Sequence, residues 1–171
     1  MPQTTVEPAK AGPGSRRLTR GEGALLAVVA FAFLHHVDHV LRADNSGWPF
    51  TDDLTPFTAS LLVYPIFALD LLLLRDRPWV RAGLVAALFV ALQVTHAVVE
   101  PPSVQYGTWA DGVSSAGHAL GRPNLLEVAS PVLGAASVAV SGLLSVAVLV
   151  ALVLLVGEAR AGHRRPDRPE A

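Results

Sequence analysis

The chain has 171 residues, of which 51 % are hydrophobic and only 16 % charged, with a mean hydropathy of +0.45 and a net charge of −1. A soluble domain carries about a quarter of its residues as charges. Here the apolar residues run in stretches near the roughly 20 needed to cross a bilayer as a helix, which predicts an all-α, multi-pass integral protein of the cell membrane. Near-neutral charge gives no reason to expect nucleic acid as a partner. The absence of cysteine excludes disulfides, thiolate metal sites and cysteine nucleophiles.

Residues 1–20 are rich in Pro, Gly, Thr and Arg without apolar periodicity and read as a disordered segment. Ser15-Arg16-Arg17-Leu18 resembles a twin-arginine signal. The apolar run behind it passes straight into His35-His36-Val37-Asp38-His39 with no small-x-small cleavage site, so it reads as a retained first helix over about 22–42. A loop of turn formers covers 43–53, with Trp48 and Phe50 suited to the interfacial aromatic belt.

The second helix, about 54–74, starts near Thr55-Pro56, with a kink predicted at Pro65. Arg75 to Pro78 form a polar turn, and the third helix covers about 79–99 until Pro101-Pro102 stop it. Residues 100–124 read as a longer loop carrying Tyr106, Trp109 and His118. The apolar stretch 125–157 exceeds one crossing, which predicts a short interfacial piece before Pro131 and a fourth helix over about 131–156. The transmembrane unit is thus 21–157, and 158–171 is a basic tail. Of the thirteen Lys and Arg, Lys10, Arg16, Arg17, Arg20, Arg75, Arg77, Arg81, Arg160, Arg164, Arg165 and Arg168 fall on one side, leaving Arg42 and Arg122 on the other. The basic side is the cytoplasmic one, which predicts a four-helix bundle with both termini in the cytoplasm.

Ionisable side chains inside a membrane helix are costly and face the bundle interior when they occur. At about 100° per residue, His35, Asp38, His39 and Arg42 share one face of the first helix, with His36 to the side. Gln93, His96 and Glu100 cluster similarly on the third helix. Glu127 would open a stripe with Ser130, Gly134, Ser137 and Ser141, whose small residues suit close helix packing or a homo-oligomer. At about 1.5 Å per residue, His39 and His96 lie at matching heights near the extracytoplasmic end. Asp52, Asp53, Glu127 and the loop with His118 approach from the same side.

Imidazole nitrogen and carboxylate oxygen suit zinc or iron, so His35, His39 and His96 read as metal ligands. Asp38, Glu100 and Glu127 read as the catalytic or orienting carboxylates. The function expected is a metal-dependent enzyme, hydrolase or oxidoreductase, acting on a hydrophobic or lipid-like substrate. A b-type haem or quinone-linked protein is the alternative, as is a proton or ion transporter with Asp70 as an inner station, or an accessory subunit. His36 reads as a packing histidine, His163 as solvated, Asp70 as a partner for a nearby arginine, and Trp48, Trp79 and Trp109 as interface anchors. His35-His36-x-x-His39 resembles one histidine box of the membrane di-iron desaturases and hydroxylases. That family needs several further boxes and more histidines than the six present here, so its chemistry is not carried over.

Overall fold

The computed structural model describes residues 17–42, 55–117 and 119–163. Their regular structure is helical throughout: α1 (Arg20–Arg42), α2 (Pro56–Ser60), α3 (Val63–Leu73), α4 (Pro78–Val98), α5 (Pro102–Ala110) and α6 (Pro131–His163). Helix α1, the broken pair α2–α3, α4 and α6 are each long and apolar enough to cross a membrane. Four such helices make this a membrane protein by length and composition.

Local chemistry explains where each helix begins and breaks. Thr19 and Glu22 form a reciprocal capping box at the start of α1, with Thr19 Oγ1 accepting from Glu22 N at 3.1 Å and Glu22 Oε2 accepting from Thr19 N at 2.9 Å. A second box, Thr55 with Thr58, opens α2, and Pro56 occupies its first turn where no N–H is missed. The kink expected at Pro65 is a full break one turn earlier, at Leu61–Leu62. The proline ring displaces the carbonyl four residues before it and offers no N–H in return. Pro78 restarts the chain as α4, and Pro101 caps α5.

Two expectations are revised, and the short piece expected before Pro131 is a turn organised by Asn124, its Nδ2 donating to Val128 O at 2.7 Å and its Oδ1 accepting from Leu126 N and Val128 N at 3.2 Å each. The segment 100–124 holds a helix of its own, α5. And α6 runs on to His163 rather than ending near Val156. The added turns join the end of α6 to the start of α1, where Glu158 Oε1 accepts from Gly21 N at 2.8 Å and satisfies one of the N–H groups that a helix start leaves open.

Helix α6 is the central post, packing against α1, α4 and α5, while α3 leans on α1. The core is one stripe per helix at helical spacing: Leu25, Val28 and Ala32 on α1, and Leu144, Val148, Ala151 and Leu155 on α6, with Phe67, Ala82 and Val85 closing it. Lipid is as apolar as these side chains, so packing and polar contacts at the two ends must hold the helices together. At the end where α1 begins, Glu22, Asp70 and Arg81 are buried. Arg75 grips Glu22 through two hydrogen bonds of 2.5 and 2.8 Å, and Arg81 Nε donates to Asp70 Oδ1 at 2.7 Å. The Glu22 carboxylate raises the Arg75 pKa above its ordinary value. Asp70 does pair with a nearby arginine, one turn into α4.

Candidate functional site

The opposite end of the bundle holds a second polar layer, built from the last turns of α1 and α4, from α5 and from the first turns of α6. Asp38 is fully engaged, accepting from Arg42 Nε at 2.8 Å, Trp109 Nε1 at 2.9 Å and Ser137 Oγ at 2.6 Å. Arg42 is completely buried and lies between two carboxylates, because its Nη1 also donates to Glu100 Oε1. The other Glu100 oxygen faces His39 Nε2 at 2.9 Å.

The three imidazoles converge. His35 Nε2 is 3.0 Å from His39 Nε2 and 3.3 Å from His96 Nε2, with the rings edge to face. The His35 tautomer follows from its other nitrogen, which sits 3.1 Å from Ser141 Oγ. That hydroxyl has one proton, and its acceptors are Gln105 Oε1 at 2.9 Å and Ser137 O at 3.2 Å. It therefore accepts from His35 Nδ1–H, which leaves the lone pair on Nε2, aimed at the other two rings.

A second small chain lies beside this one. His36 Nε2 is 2.8 Å from Ser60 Oγ and Nδ1 is 2.8 Å from Tyr64 Oη. Ser60 Oγ is also 2.6 Å from Phe57 O, so the Ser60 hydroxyl, the His36 ring and the Tyr64 hydroxyl form one hydrogen-bonded chain. Both histidine groups open onto a cavity of about 760 Å³ enclosed by α1, α2–α3, α4 and the middle of α6. Its polar end is formed by His35, His36, His39, His96, Ser60 and Glu100, and its far end by Val28, Phe67, Leu88 and Val148.

The structure thus brings together His35, His39, His96, Asp38 and Glu100. Glu127 stands apart: it is exposed, has φ of 53°, and precedes α6 rather than lying on its stripe. Gly134, Ser137 and Ser141 do form that stripe, buried against α1 and α5. His163 is exposed at the end of α6. Asp52, Asp53, Trp48 and His118 lie outside the described residues. Trp109, expected at an interface, is 2 % exposed and serves Asp38. Gln105, Ser60 and Tyr64 were not singled out by the sequence; a polar residue one turn from a histidine on a neighbouring apolar segment is their only signal.

Among the described residues no three His, Asp or Glu side chains stand as a ready-made metal cage. No family model, no curated protein and no solved structure matches the chain.

Proposed function

We propose that the protein is a metal-dependent membrane enzyme acting on a hydrophobic substrate, with His35, His39, His96 and Glu100 as the metal-binding set. The observation that carries this reading is the convergence of three imidazole nitrogens and one carboxylate at the mouth of an apolar cavity. Tetrahedral nitrogens about 2.0–2.1 Å from one zinc ion lie about 3.3 Å apart. His35 Nε2 stands 3.0 Å from His39 Nε2 and 3.3 Å from His96 Nε2, close to that spacing, and Glu100 Oε2 is 2.9 Å from His39 Nε2.

The groups behind the cluster favour the same reading. Ser141 orients His35 from behind, and Asp38 orients Arg42, which in turn holds Glu100. Such partners fix the tautomer and direction of ligands. Bound zinc or iron would activate water or a substrate oxygen. The cluster of arginines near α1's start and the α3–α4 turn makes that end cytoplasmic, which puts the proposed centre near the extracytoplasmic face and both termini inside.

A haem is less well supported, since His35 Nε2 is shared between His39 at 3.0 Å and His96 at 3.3 Å rather than facing one imidazole alone. The transporter reading lacks a path, because Asp70 is ion-paired to Arg81 and the core between the two polar layers is apolar.

Elemental analysis of gently purified protein, with a visible spectrum, tests the proposal. About one zinc or iron per chain is expected, lost in His39→Ala and in His96→Ala and retained in His163→Ala. Metal-free protein from several growth media, unchanged by added zinc or iron, would refute it.

A further inference from the structure

The cavity has a shape and a polarity that specify more than a generally hydrophobic occupant. Its wall on α1 runs from Val28 to His39, a height of about 16 Å, roughly the extended length of a twelve-carbon chain. Every strongly polar group stands at one end. The volume of about 760 Å³ lies within the range of about 300–1,000 Å³ that drug-sized ligands fill. Leu62 at the break between α2 and α3 and Val99 at the end of α4 both line the cavity and are 61 % and 42 % exposed.

The polar end selects the head. Ser60 Oγ gives its one proton to Phe57 O or to His36 Nε2, 2.6 and 2.8 Å away, and in either case keeps a lone pair able to accept from a ligand. Across the opening are the His39 and His96 rings and Glu100. A head placed there must donate a hydrogen bond toward Ser60 and bring no negative charge against Glu100. A hydroxyl does both, whereas a carboxylate has no proton to give and meets Glu100.

We infer that the cavity seats one single-chain alcohol or hydroxyl-headed lipid of about twelve carbons, its hydroxyl on Ser60 and its tail against Val28, Phe67, Leu88 and Val148. What is done to that hydroxyl rests on the metal reading above; the seating of the chain does not. Moving a tail from lipid into an apolar cavity gains nothing per methylene. Selection is therefore by length and by head.

The test uses full-length protein in nanodiscs with straight-chain alcohols and acids of 8 to 18 carbons bearing a photoreactive diazirine at the tail end, lengths chosen around the roughly twelve-carbon cavity. Crosslinks are mapped by mass spectrometry, in chelator-treated and in metal-supplemented samples. The twelve-carbon alcohol is expected to label Val28, Phe67, Leu88 or Val148. Its yield should fall at least about tenfold when Ala91→Trp or Ala59→Trp occupies the cavity, and Ser60→Ala should erase the preference for alcohol over acid. Both alanines face the cavity and are exposed, so the tryptophans need not disturb the core; unchanged helicity confirms this. Labelling spread over lipid-facing sites such as Val132 and Val153, indifferent to both tryptophans, would overturn the proposal. Equal labelling by acid and alcohol would overturn the hydroxyl assignment. Either result leaves the metal analysis to stand or fall on its own.

Discussion

Replacing Arg42 by methionine keeps much of the side-chain volume and removes the guanidinium that links Asp38 to Glu100. Arg42 is wholly buried, and its Nε–Asp38 hydrogen bond is 2.8 Å long. Removing one partner of a buried ion pair costs about 3–5 kcal/mol, because the charge left behind has lost its compensation. For a chain of this size each kcal/mol corresponds to about 2–4 °C in melting temperature, so Arg42→Met should melt about 6–20 °C lower. The measurement is thermal unfolding in detergent, followed by tryptophan fluorescence, with chelator present throughout so that metal linkage does not enter. Asp38→Asn in the same background sharpens the result. The asparagine oxygen still accepts from Trp109, and the stranded carboxylate is gone, so the double variant should be more stable than the sum of the two single losses by about 0.5–3 kcal/mol. Strict additivity, or an Arg42→Met protein melting within about 2 °C of the parent, would refute the idea that this guanidinium holds the two carboxylates together.

Asp70→Asn removes the negative charge paired at 2.7 Å with the buried Arg81 and should destabilise by about 3–5 kcal/mol while leaving metal content and photolabelling unchanged; co-loss of metal would show the two polar layers to be coupled. Trp109→Phe removes one donor to a charged acceptor and should cost about 1.5–3 kcal/mol, read by the same melt. In Gly134→Ala the new methyl would stand 2.7 Å from Tyr106 O, forcing α5 and α6 apart at about 1–3 kcal/mol; an unchanged melting temperature would contradict that close approach.

The spans were legible because a bilayer demands long apolar runs, and nothing else in the chain has that length. The grouping of His35, Asp38 and His39 with His96 and Glu100 was legible too, since helical angle and rise place side chains on a face and at a height before any packing is known. Packing decided the rest. Helical angle put Arg42 on the polar face of the first helix but gave it no role, yet it is the buried link between two carboxylates. Helix α5 was hidden because nine residues containing Gly, Ser and Thr have no apolar period to betray them. Trp109 has the composition of an interface anchor and became a donor to Asp38 only because that helix folds back under α6. Glu127 was extrapolated onto a stripe that Pro131 begins four residues too late to include, and the His36–Ser60–Tyr64 chain depends on a break in the second span whose position sequence placed a turn away.

Helix α1 carries Glu22 in its first turn and Arg42 in its last, the one bound to Arg75 in the turn between α3 and α4 and the other to Glu100 between α4 and α5. A rod so fastened cannot move like a piston, since sliding by one turn would drag a charge into the hydrocarbon at either end. It can only tilt. Any conformational change that admits a ligand must then come from the lightly packed, proline-broken span beside it.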